Sequence, residues 1–179
     1  MALRNILLDD EPMLLKKSRP VTDFNERLHI LLDDMKETLQ AAEGAGLAAP
    51  QVGILRRVVL VLDTGGNNGD ASADSLPGRI MELINPEIIE KDGEQEGMEG
   101  CLSLPNKVGI VKRPQKVKVR AYNRYGKEFE KEVQGFTARA MCHEIDHLDG
   151  VLYTTLATKL YDLEEVDEEE FEREKKKFS

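Results

Sequence analysis

The sequence predicts an α+β fold in which antiparallel β-sheets pack around a central helix carrying His143-Glu144-Ile145-Asp146-His147. Three observations carry that prediction. The order of patterns is helix, several strands, then helix, without the βα alternation of a doubly wound sheet. Two alternating segments, Lys116 to Tyr122 and Glu128 to Val133, flank the turn Asn123-Arg124-Tyr125-Gly126 and read as a hairpin. Helical spacing then returns from Phe136 to Leu148.

The elements follow in order. Asp23 with Glu26 has the form of a capping box, and Phe24, Leu28, Leu31, Met35, Leu39 and Ala42 recur at spacings of three and four. That helix is expected to end near Glu43-Gly44. Arg57 to Leu62 reads as a buried strand, and Leu83 to Ile89 as an extended stretch around Asn85-Pro86. Thr64 to Gly78 is rich in Gly, Asn, Asp and Ser and reads as a surface loop. Gly150 is placed to end the last motif-bearing helix.

Bulk properties narrow the function. The chain has 179 residues, 40% hydrophobic and 33% charged, with no internal repeat or linker, which suits one domain with its own core. We assign residues 1–160 to a single domain and 161–179 to an acidic extension, helical or frayed. The extension carries −5 of the total charge of −9. No basic stripe marks a binder of DNA, and no apolar run approaches the roughly 18 residues of a membrane span. Met1 to Asn5 does not open a signal peptide, because Asp9, Asp10 and Glu11 interrupt any apolar core. The expected location is the cytosol. Cys101 and Cys142 are too few for a disulfide framework, so each is better read as a ligand or a buried thiol.

His143-Glu144-Ile145-Asp146-His147 is the most informative stretch. Residues four apart share a helix face, so His143 and His147 can offer two imidazoles to one divalent ion. Glu144, turned roughly 100° from His143, falls beside that ion and can act as a base. A core helix carrying two histidines by chance is the plainer reading. It is weakened because the chain has only three histidines; the third, His29, reads as a helix-surface residue.

A catalytic site needs a third protein ligand and an open position. No histidine follows His147. Glu164, Glu165 or Glu168 in the acidic tail could serve, as in an H-E-x-x-H endopeptidase. Cys101, in Glu99-Gly100-Cys101-Leu102-Ser103, is the other source, since a thiolate binds Zn²⁺ or Fe²⁺ well. A closed structural metal site would need Cys142 as its fourth ligand, an awkward geometry roughly 100° around the helix from His143. The remaining segment, Gly44 to Gln51, mimics a dinucleotide fingerprint with Asp63 beyond it. Its glycines follow a helix and not a strand, which removes that reading. Small residues there let a substrate backbone lie close, and the Gln51 amide can donate to a developing oxyanion.

Taken together, Gly44 to Gln51, Glu99 to Ser103 and His143 to His147 resemble the three signature motifs of the bacterial peptide deformylases, G-x-G-L-A-A-x-Q, E-G-C-L-S and H-E-x-D-H. The similarity runs from about residue 3 to 160. The resemblance implies removal of the formyl group from the N-terminal methionine of nascent polypeptides. It implies Cys101, His143 and His147 as metal ligands and Glu144 as general base and acid. The Leu102 N–H and Gln51 would be donors to the formyl oxygen, and Gly46 would align the substrate. By resemblance the ion is Fe²⁺ in the cell, with Zn²⁺, Ni²⁺ or Co²⁺ able to replace it, and Glu99 pairs with Arg113. Asp146 is expected to accept a bond that fixes the helix. Phe136 and Ala140, four apart, are expected to border an apolar pocket for the methionine side chain. The expected state is a monomer that meets the ribosome transiently. Two departures stand out: Cys142 replaces a glutamine common in the family, and the 64–78 loop is longer than in compact members.

Overall fold

A computed structural model of the chain describes residues 2–65 and 78–178. Most of the 64–78 loop lies outside the described residues. Helix α1 (Glu26–Ala42) begins later than the Asp23 box suggested. Asn25 caps it, its Oδ1 accepting from the Leu28 N–H at 3.2 Å. Phe24 stays outside the helix because its ring packs on Tyr122, 6.0 Å between centroids. Glu43 ends the helix in the left-handed region, φ 54°.

Strands β1 (Gly46–Ala48), β2 (Val58–Leu62) and β3 (Ile80–Asp92) follow. Next come β4 (Gln95–Cys101), β5 (Leu104–Arg113), β6 (Lys116–Tyr122) and β7 (Glu128–Gln134). The first sheet has the order β1-β2-β3-β6-β7, and all of its neighbours are antiparallel. The expected hairpin is there, with Val119 opposite Lys131. β3 runs well beyond the extended stretch expected at Leu83 to Ile89. Its register breaks between Ile84 and Glu87, where Asn85 has φ 52° and Pro86 cannot donate to the ladder. The Asn85 side chain accepts from the Val21 N–H at 2.8 Å and donates to the Val21 carbonyl at 2.9 Å.

Helix α2 (Gly135–Leu148) carries the histidine motif and is buried along almost its whole length. One side packs Ala138, Met141, Ile145 and Leu148 onto Val59, Leu83, Val119 and Val133 of the first sheet. The other face of that sheet receives α1, through Leu32, Met35 and Leu39 against Leu47, Leu60 and Ile84. Gly150, φ 73°, follows the helix, and a Cβ there would strike the Leu15 carbonyl. α2 therefore lies between the first sheet and the second.

The second sheet has the order β4-β5-β8, where β8 (Lys159–Asp162) pairs with β5, Val108 facing Tyr161. The boundary drawn at residue 160 cuts this strand. Tyr161 is buried, so the sheet extends to Asp162. The acidic segment beyond is helical: α3 (Glu168–Lys177) is capped by Asp167, with acids in its first turn and lysines in its last, as the helix dipole favours. Phe171 rests edge-on to Tyr161, and Lys159 meets Glu170 at 3.1 Å. Among the described residues no helix is long and apolar enough to cross a membrane.

Candidate metal centre and active site

Strand β4 and helix α2 bring the site together. Cys101 ends β4 where its pairing with β5 shifts register, and the chain turns at Leu102-Ser103. His143 and His147 stand on one face of α2 toward it. Cys101 Sγ lies 3.4 Å from His147 Nε2. The ligand atoms of Cys101, His143 and His147 all fall within 4.8 Å of one another. A sulfur and an imidazole nitrogen sharing a tetrahedral ion, at bond lengths of about 2.3 and 2.0–2.1 Å, sit about 3.5 Å apart. The donor set fits a divalent cation. Among the described residues this group includes neither Cys142 nor Glu164, Glu165 or Glu168. The endopeptidase and closed-site readings thus lack their extra ligand.

His143 is held by its far nitrogen. Its Nδ1 donates to Glu99 Oε1 at 2.8 Å, which leaves Nε2 for the cluster. Tyr153 stacks on the ring at 5.7 Å. Burial disfavours a charged His143, yet Glu144, Cys101 and Glu99 outweigh it and raise the pKa. Burial instead pushes His147 down, to about 3, which keeps it neutral as a ligand must be.

Glu99 anchors the surroundings. Arg113 grips it with a fork, Nε to Oε2 at 2.7 Å and Nη2 to Oε1 at 2.8 Å, and Arg113 Nη1 also donates to Asp146 at 2.6 Å. Burial works against the charge on Glu99, but the bonds from Arg113 and His143 prevail and hold its pKa at about 2. Both the expected Glu99–Arg113 pair and the expected bond to Asp146 are formed.

Glu144 is buried, and its Oε1 has no hydrogen-bond partner among the described residues. Burial pushes its pKa up to about 7, the range in which a base can take a proton and later return it. Gly46 lies directly against it: a Cβ there would come within 2.5 Å of Glu144 Oε2. Only glycine lets β1 and this carboxylate pass so closely. Gln51 is buried too. Its Oε1 accepts from the Ala48 N–H at 2.9 Å, while Nε2 donates to Ser103 Oγ at 3.1 Å and faces Cys101 Sγ at 3.6 Å. A cavity of about 420 Å³ opens here, lined by Gly46, Gln51, Cys101, Leu102, Phe136, Ala140, His143 and Glu144 among others.

The sequence reading missed three contributors. Ser103 orients Gln51, and Tyr153 backs His143. Arg139 reaches Glu99 from α2 at 2.7 Å. Ser103 closes the Glu99–Ser103 motif, and that membership was the one available signal. Cys142 and His29 stand apart. Cys142 is a free, buried thiol whose pKa burial raises to about 11. His29 Nε2 donates to the Arg124 carbonyl at 2.8 Å.

Known proteins are similar to this chain in sequence and fold. The peptide deformylase of Alkaliphilus metalliredigens is 53% identical over 154 residues, covering 86% of this chain and 96% of that one. That of Lachnoclostridium phytofermentans is 49% identical over 173 residues, covering 96% and 100%. The crystal structure of peptide deformylase from Thermotoga maritima superposes with a TM-score of 0.78 at 36% identity, over 89% of this chain and 100% of that one. The enzyme from Ehrlichia chaffeensis gives 0.81 at 32% identity, over 88% and 89%. With residues 3–162 matching the family, the chain belongs to the polypeptide deformylases, metal-dependent hydrolases that remove the formyl group from newly made proteins.

Proposed function

We propose that this chain removes the N-formyl group of nascent proteins with Cys101, His143 and His147 holding the divalent ion and Glu144 moving the proton. The observation that carries the proposal is the convergence of those three donor groups beside a buried carboxylate with one oxygen unpartnered among the described residues. When bound, the ion supplies Lewis acidity toward the formyl carbonyl and acidifies water. Glu144 accepts a proton from the attacking water. It returns that proton to the methionine nitrogen as the carbon–nitrogen bond breaks, so that formate and a free amine leave. The Gln51 Nε2–H and the Leu102 N–H donate to the formyl oxygen as negative charge develops on it, each worth roughly 3–4 kcal/mol. Gly46 leaves room for the substrate backbone next to Glu144.

Phe136 and Ala140 border the apolar part of the cavity and receive the first side chain. A pocket of this kind discriminates by about 1–3 kcal/mol. Formyl-Met peptides are therefore expected to release formate faster than formyl-Lys or formyl-Asp peptides, and acetylated peptides to react little, since the acetyl methyl must enter a space lined by Gly46 and Glu144. Equal rates on formyl and acetyl peptides would overturn this account of the pocket.

The ion is Fe²⁺ in the cell, and Zn²⁺, Ni²⁺ or Co²⁺ suit the same thiolate and imidazoles. Iron beside an ionised thiolate joins two oxidisable centres in an open cavity. Iron-loaded protein should lose activity in air faster than zinc- or nickel-loaded protein, and matched lifetimes would contradict the assignment. The catalytic domain runs to Asp162, and the protein works as a cytosolic monomer meeting formylated chains near the ribosome.

A further inference from the structure

Glu99 accepts four hydrogen bonds, and the fourth comes from a second arginine that reaches it along helix α2. Arg113 supplies two and His143 one; Arg139 Nη1 completes the set at Oε2, 2.7 Å away. A carboxylate has about four lone-pair sites, so Glu99 is saturated. The same Arg139 Nη1 donates to the Val111 carbonyl of β5 at 3.0 Å and reaches the Gly97 carbonyl of β4 at 3.4 Å. Its Nη2 lies over Gly97, where a Cβ would come within 2.9 Å, and has no partner among the described residues. The side chain is 5% exposed. Arg113 is shared between Glu99 and Asp146, so Arg139 balances the second carboxylate, but its unmet N–H is a buried polar group that carries a cost of its own.

Topology gives that cost a purpose. Cys101 comes from β4 and the histidines from α2, so the spacing of the ligands depends on how those two elements are held. Arg139 stands one turn before His143 on the same helix face. It ties α2 to β4 and β5, and its bond on Oε2 fixes the plane of the carboxylate whose Oε1 orients His143.

We propose that Arg139 is a positioning residue that acts through Glu99 to fix the His143 imidazole toward Cys101 and His147. This rests on the metal-site reading above. Loss of an outer partner of this kind weakens metal binding or activity by about 10–100-fold. Arg139→Met should weaken Co²⁺ affinity by that factor, shift the visible Co²⁺ ligand-field bands, and lower kcat with KM nearly unchanged. Arg139→Lys, which can still donate to Oε2, should recover part of each.

A double-mutant cycle on Co²⁺ affinity separates this role from general support of the fold. In a Glu99→Gln background, Arg139→Met should cost nothing further; a further tenfold loss there would overturn the proposal. So would an unchanged affinity and spectrum in folded Arg139→Met. If Arg139→Met alone does not fold, the double variant against Glu99→Gln, together with Arg139→Lys against wild type, gives the same decision. Wild-type protein that fails to bind Co²⁺ through Cys101 would instead sink the metal-site reading itself.

Discussion

Glu144→Ala should retain one equivalent of metal and lose about 10²–10⁴-fold or more in kcat, because both proton transfers pass through this one side chain. The carboxylate is buried at the foot of the cavity, and among the described residues no other free base lies beside it: Glu99 is occupied by four donors and held ionised by Arg113 and His143. Stability should move the other way. Among the described residues Glu144 carries a buried oxygen without a partner, so removing it relieves an unmet polar group, and the melting temperature should hold or rise. Glu144→Gln keeps the shape and removes the basicity, and should be nearly as inactive. Near-normal turnover by either variant would take Glu144 out of the mechanism.

Cys101→Ala should bind little or no metal, whereas Cys142→Ala should keep it. The two thiols are chemically alike and differ in place. Cys101 Sγ faces His147 Nε2 and the Gln51 amide, while Cys142 turns into the core among residues such as Ala138 and Met141. Burial raises the Cys142 pKa to about 11, which keeps it a thiol and a poor ligand. Two imidazoles alone leave the ion with half of its tetrahedral shell. Metal content by elemental analysis, with a circular dichroism spectrum to show that each variant folds, decides the point. Unchanged metal in Cys101→Ala would overturn the ligand set.

Periodicity made α1, α2 and the β6–β7 hairpin readable, because each buries one face and carries its pattern locally. The second sheet was not readable in that way. β4 is Gln-Glu-Gly-Met-Glu-Gly-Cys, with low β-propensity and glycines at two of its positions, and it becomes a strand only by pairing with β5. β8 hides inside a segment whose charge suggests a solvated tail, and the burial of Tyr161 against β5 is a long-range event. The site divided along the same line. His143, Glu144 and His147 are legible because helix geometry fixes them relative to each other, and Cys101 because the motif resemblance singled it out over the tail glutamates. Ser103, Tyr153 and Arg139 act across elements, and no spacing in the sequence reports such contacts.

The most direct test uses one substrate, formyl-Met-Ala-Ser, with the metal-loaded protein and two readouts: formate in solution and the mass of the remaining peptide. The account predicts formate equal to substrate consumed and an intact Met-Ala-Ser product. Cleavage between Met and Ala with the formyl group still attached would contradict it.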